Sequence, residues 1–170
     1  MTISMYQASV PVFIHMLNNL AAILEKAAAH AEAKKIDPVV LINFRLYPDM
    51  LPFAKQIQIA ADAARNGTGR LVGIEPAKVE DNEKTFPELI ERVRKTIEYL
   101  KTFKPEQIDG SEGKEIIIQS HGSTLTYHGQ DFLLNRVLPN FYFHITTAYA
   151  FLLHYGVELG KRDYLGLAGH

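Results

Sequence analysis

The chain has 170 residues, 47% of them hydrophobic, and 18 Lys plus Arg stand against 19 Asp plus Glu. That length and apolar fraction describe one globular domain, 1–170, with too little chain for two ordinary ones. The charge balance and the lack of any basic stripe exclude nucleic acid as the main partner. The absence of cysteine removes disulfides, thiolate metal sites and a cysteine nucleophile, and fits a reducing cytoplasm.

The first residues, MTISMYQASVPVF, carry no basic stretch followed by a long apolar run, so no signal peptide is expected. The apolar-rich stretches are broken by His, Asn, Gln or Thr well before the roughly 18 residues of a membrane span, so no transmembrane helix is expected. From about Ser4 to Lys34, Phe13, Met16, Leu17, Leu20, Ile23, Leu24, Ala27 and Ala31 recur at spacings of three and four. This predicts a first amphipathic helix, with Pro11 marking either its start or a kink. A second helix is expected from about Pro48 to Asn66-Gly67, with a stripe of Phe53, Ala54, Ile57, Ala60, Ala61 and Ala64 and a stop at NGTG. The glycine-bearing loop that follows, Gly67 to Lys84, reads as unstructured.

A third helix opens at Thr85-Phe86-Pro87-Glu88, a capping-box pattern, and runs through Leu89, Ile90, Val93, Ile97 and Leu100 to about Phe103. The short β-branched run Lys114–Gln119, the turn Ser120–Ser123 and the alternating Thr124–Tyr127 predict a two-stranded hairpin. A fourth helix starts near Gln130, is interrupted at Pro139 and ends at Gly156. The tail VELGKRDYLGLAGH, with three glycines, reads as coil lying against the helices. Four helices and one hairpin describe an all-α helical bundle.

No GxxxxGK[ST], GxGxxG, HExxH or GxSxG pattern occurs. A helical metal site needs ligands three or four residues apart, so that both face one ion. None of the seven histidines has another at that spacing. His121 and His128 flank the predicted turn, and His170 is terminal. His144 and His154 are ten residues apart, about 1000° of helix at about 100° per residue, which points them about 80° away from each other.

His144 stands apart because Asn140 lies one turn before it and Thr147 nearly one turn after, a polar strip on an otherwise apolar helix. It reads either as a histidine satisfied by hydrogen bonds, for instance to a carboxylate, or as a residue lining a pocket between helices. The other polar cluster is FRLYPDMLPFAKQIQIAADAAR. Asp49 there could cap the second helix, Arg45 could pair with it or with a ligand carboxylate, and Gln56 lies two turns on. Asp62, between alanines, is expected to form a salt bridge to Arg65 or Lys55. An Asp-Gln-His group between two helices would offer oxygen and nitrogen ligands to a divalent ion.

The stretches RLYPDMLPFAKQIQIAADAA, RLVGIEPAKVEDNEKTFPELIERV and LPNFYFHITTAYAFLLHYGVELGKRDYLG closely resemble a family of small bacterial and fungal proteins known as a domain of unknown function. The likeness covers nearly the whole chain, and LPNFYFH and GKRDYLG are its specific phrases. That family looks like a branch of the DinB/YfiT-like superfamily of metal-dependent four-helix bundles. The resemblance implies an up-down-down-up four-helix bundle with a long crossover between the second and third helices, and with the hairpin between helices 3 and 4. It also implies a homodimer, and a divalent metal (Zn or Ni) held by one histidine of the second helix and an HxxxH pair on the last. Carried onto this sequence, His144 falls on the last helix, its i+4 partner is Ala148, its i−4 neighbour is Asn140, and the second-helix position is near Gln56. At most one of the three histidines is retained.

Three functions follow as expectations. The first is a small-ligand-binding, non-catalytic bundle whose polar pocket is built from Arg45, Asp49, Gln56, Asn140 and His144. The second is a divalent-metal-dependent enzyme, like a thiol-dependent transferase or isomerase, with His144 as base or metal ligand and Asp49 or Asp62 in support. The third is a structural homodimer without a small-molecule site.

Overall fold

The computed structural model describes residues 2–120 and 122–167; His121 and His170, both named above, lie outside the described residues. The chain is mostly helical with one two-stranded antiparallel sheet. Four long helices carry it: α1 (Val10–Lys34), α3 (Phe53–Val72), α4 (Phe86–Lys101) and α7 (Leu138–His154). Shorter pieces join them: α2 (Pro38–Asn43), α5 (Pro105–Ile108), α6 (Gly129–Phe132) and α8 (Lys161–Leu165). The strands are β1 (Glu115–Ser120) and β2 (Ser123–His128).

α1 begins at the proline rather than kinking there. Pro11 sits in its first turn, where its missing N–H has no partner to lose. Residues Ser4 to Ser9 are not helix, with a turn at Met5 to Ala8, and are tied by Ser9 Oγ donating to Met5 O at 2.6 Å. α2 was not foreseen; Asp37 caps it by accepting from Val39 N at 2.9 Å.

α3 departs from expectation at both ends. It starts at Phe53, not Pro48, and Pro52 occupies its cap, so Asp49 caps nothing and lies exposed in the preceding turn. At the other end NGTG does not stop it. Gly67, Thr68 and Gly69 are buried inside α3, which runs on to Val72 and closes on Gly73 at φ +92. Gly73 N–H and Ile74 N–H both reach Gly69 O, at 2.9 and 2.8 Å, the helix end that a left-handed glycine permits. Packing overrides propensity here, because a Cβ on Gly67 would stand 2.5 Å from Val137 Cγ1.

α4 carries the expected capping box: Glu88 N–H donates to Thr85 Oγ1 at 3.3 Å, and Thr85 N–H to the Glu88 carboxylate at 3.0 Å. The hairpin forms in the register Ile116↔Tyr127 and Ile118↔Leu125. Ile116 and Ile118 are buried and Ile117 is exposed, the alternation of a sheet with one face on the core. The interruption near Pro139 is a π-helical turn, Leu133–Val137, placed just before the ring. Proline neither donates to the carbonyl four residues back nor clears it, and a wide turn accommodates that.

The tail is not all coil. Its α8 lies on α1, where Asn19 Nδ2 donates to Tyr164 O at 3.0 Å and Lys26 pairs with Asp163 at 2.5 Å.

α1 packs on α4, α4 on α3, and α3 on α7. Gln56 meets His144 and Gly67 meets Val137, so α3 and α7 run antiparallel. One apolar cluster, from Phe13 and Leu20 through Ile57 and Val93 to Phe141 and Phe151, joins all four long helices.

The crossover from Ile74 to Lys84 has no regular structure and is held by charge. Arg92 of α4, its side chain 4% exposed, reaches Asp62 of α3 at 2.9 Å and Asp81 and Glu83 of the crossover at 3.0 Å each. It also donates to Glu80 O at 3.0 Å. Asp62 therefore pairs with Arg92, not with Arg65 or Lys55. Those two hold the crossover themselves: Arg65 donates to Ala77 O at 2.6 Å, and Lys55 pairs with Asp81 at 2.6 Å.

Two outcomes test this account. Gly67→Ala should destabilise the protein by about 1–3 kcal/mol through overpacking, although the same change in an open helix gains stability, and Val137→Ala in the same chain should recover part of the loss in urea titrations. Arg92→Met should cost about 3–5 kcal/mol, because Glu83 would remain buried without its counter-charge. Asp62→Asn should cost less than about 1 kcal/mol, since that carboxylate is a third exposed.

Candidate functional site

The sequence places three of the five expected site residues along the α3/α7 seam, and the structure brings two of them into contact. His144 of α7 and Gln56 of α3 are both buried, at 8% and 2% exposure. His144 Nδ1 lies 2.8 Å from Gln56 Oε1. Gln56 Nε2 donates to Leu51 O at 3.0 Å, which turns the amide oxygen towards the imidazole. The oxygen accepts, so Nδ1 carries the proton and Nε2 keeps its lone pair. Among the described residues no side chain or backbone group bonds to Nε2. Burial pushes the imidazole below its ordinary range, so the ring is neutral at pH 7. The partner is an amide, not the carboxylate that the sequence suggested as one choice. The Phe143 ring stands edge-on to the imidazole at 5.1 Å.

Asn140, one turn back, is exposed and lines a different cleft. Arg45 and Asp49 are exposed on the connection before α3. Arg45 Nη1 donates to Met50 O, which closes that loop on itself. The structure therefore joins Gln56 to His144, leaves Asn140 beside them, and sets Arg45 and Asp49 apart.

Two clefts flank α3. One, of about 550 Å³, lies under the crossover and includes Asp62, Arg65, Glu83, Arg92, Lys95 and Thr96 in its wall. Burial raises the Asp62 carboxyl above its usual range, against the lowering effect of Arg92. Sequence reasoning passed over Arg92, Asp81 and Glu83. The signal was present: Arg92 sits three residues after Leu89 and four before Thr96, on the apolar stripe of α4, where an arginine must find partners.

The second cleft, about 360 Å³, lies between α3 and the start of α7 and is lined by Asn66, Arg70, Arg136 and Asn140 among others. Neither Gln56 nor His144 lines either cleft.

The residues do not fit a three-histidine metal centre. Gln56 supplies an amide oxygen, already engaged by His144, and Ala148 supplies no donor atom. Among the described residues no group of three or more His, Asp or Glu side chains is placed to hold a metal ion.

A family model described as a domain of unknown function, DUF1993, matches residues 5–165. The chain belongs to the DUF1993 family. A solved structure of a DinB family member from Shewanella denitrificans is 42% identical to it, with a TM-score of 0.85. That match covers 97% of this chain and 93% of the other. The chain is thus DinB-like, as the LPNFYFH and GKRDYLG phrases implied. No curated protein matches the chain.

The pH behaviour of His144 follows from its burial. The folded state holds the imidazole proton more weakly than the unfolded chain, whose histidine titrates near 6.5. The unfolded state then binds more protons as pH falls below about 6.5, so stability is lost in that direction. Asp62, with a raised folded value, acts oppositely and gains stability as pH falls towards the ordinary carboxylate range. Urea titrations from pH 7.5 to 5.5 should show wild type losing more stability than His144→Asn, which keeps a donor towards Gln56 and does not titrate.

Proposed function

We propose that this DUF1993 chain is a small-ligand-binding DinB-like protein whose metal centre has degenerated. The observation that supports it is the Gln56–His144 pair, a buried neutral imidazole with one nitrogen held by an amide and the other without a bonding partner. A ring held in one tautomer and kept neutral recognises a hydrogen-bond donor on a small molecule at Nε2. The chain forms a single domain, an up-down-down-up bundle of α1, α3, α4 and α7. Among the described residues no helix is long and apolar enough to cross a membrane, and we place the protein in the cytoplasm, in keeping with its lack of cysteine.

A second reading, a homodimer through α7, has an observation of its own. α7 exposes Tyr142, Phe143 and Leu153, and Phe143 is 58% exposed. In that reading His144 supports the interface.

Metal content and mass in solution, measured on tag-free wild type and His144→Ala after incubation with zinc and with nickel, separate these readings. Ligand binding predicts sub-stoichiometric metal in both proteins and metabolite hits, seen by ligand-observed NMR, that weaken about tenfold or more in the variant. Near-stoichiometric metal lost in His144→Ala would sink it in favour of the metal-dependent enzyme. A variant that dissociates while its hits persist would favour the dimer.

A further inference from the structure

The α3/α7 seam also carries a cleft that does not involve His144. Two guanidinium groups line it, one in a long, exposed ion pair and the other held by groups without charge. Arg70 Nη2 stands 3.4 Å from Glu75 Oε1, a long contact to a carboxylate that is 79% exposed. Pairs of that kind contribute little and yield readily to a better partner. Arg136 is positioned by groups without charge: its Nη1 donates to the Tyr127 hydroxyl at 3.3 Å, and its guanidinium lies over the Tyr127 ring at 5.8 Å. The carboxylate in the wall, Asp62, is engaged by Arg92 on its other side. Asn66 and Asn140 add two amides, and neither donates an amide hydrogen within the described residues.

The backbone is also irregular at this place. The π-helical turn Leu133–Val137 brings two consecutive side chains, Arg136 and Val137, to the cleft. Wide turns of this kind are uncommon and recur where helices serve binding. Ile59, Ala63, Phe132 and Val137 give the cleft an apolar wall. The cleft under the crossover makes the contrast: its buried arginine is saturated by three carboxylates and a carbonyl, so it has nothing to offer a ligand.

We propose that the cleft between α3 and the π-helical start of α7 binds a small organic anion, whose oxyanion end sits between Arg70 and Arg136 and whose apolar body lies against Phe132 and Val137. Arginine forks and amide N–H groups match a carboxylate or a phosphate, and the two share this chemistry. The site stands whether or not His144 binds a ligand.

The test is calorimetric titration of the full-length protein with benzoate and with phenyl phosphate, together with NMR shift mapping. Saturable binding of either probe is expected, with shifts at the Asn66 and Asn140 amides and affinity about tenfold or more weaker in Arg70→Gln and Arg136→Gln. Arg94→Gln, which removes an exposed pair with Glu25 elsewhere, should bind as wild type does. Binding of benzoate alone identifies a carboxylate ligand, and binding of phenyl phosphate alone identifies a phosphate; both support the site. If Arg136→Gln does not fold, Arg136→Lys keeps the charge without the fork and should bind more weakly than wild type. The proposal fails if neither probe saturates, if the variants bind as wild type does, or if the shifts cluster at Gln56 and His144.

Discussion

A single guanidinium, buried between α3, α4 and the crossover, is the constraint on which the middle of this protein depends. Arg92 of α4 pairs at once with α3 and with the irregular segment that joins the two helices. An arginine taken out of water is costly unless its fork is filled, and three carboxylates and a carbonyl fill it. Glu83 is then fixed from the other side by Gln58 Nε2 at 2.8 Å. The segment from Ile74 to Lys84 has no ladder of its own, so this polar knot stands in for secondary structure.

With α3 pinned on that side, its opposite face is free to approach α7 closely. Ala60 and Ala64 are fully buried within α3, and Gly67 meets Val137. The close approach at Gly67 decides the geometry of the seam. Further along it, Gln56 comes within hydrogen-bond reach of His144; beyond it, the π-helical turn opens the cleft of Arg70 and Arg136. One seam thus holds a buried, neutral pair towards one end and a cleft lined by two arginines towards the other.

The helices were legible because their apolar stripes recur at helical spacing, and the capping box at Thr85 and the alternation at Ile116–Ile118 were local patterns that tertiary contacts did not oppose. The errors came where distant contacts decide. Asn66-Gly67-Thr68-Gly69 has the local chemistry of a stop, yet Val137, some seventy residues away in sequence, makes those small residues helix interior. Asp49 has the chemistry of a cap, but Pro52 fixes the entry to α3 three residues later. At the site, Gln56 and His144 were legible as positions on facing helices, while their direct bond was not. Arg92 was visible only as an anomaly on an apolar stripe. Its partners lie nine to thirty residues before it, one on α3 and the others on a loop whose path no periodicity describes.

The docking of α8 on α1 joins segments that lie far apart along the chain. Asn19 meets Tyr164, 145 residues away, and His15 lies 3.2 Å from Leu165 O, 150 residues away. Closing a loop of that length costs entropy that few local contacts repay, so such contacts form after the helices between them are in place. The α8 contacts therefore act as a clasp on a finished assembly, late to form. During synthesis the face of α1 that meets α8 stays uncovered until residues 161–165 have followed it.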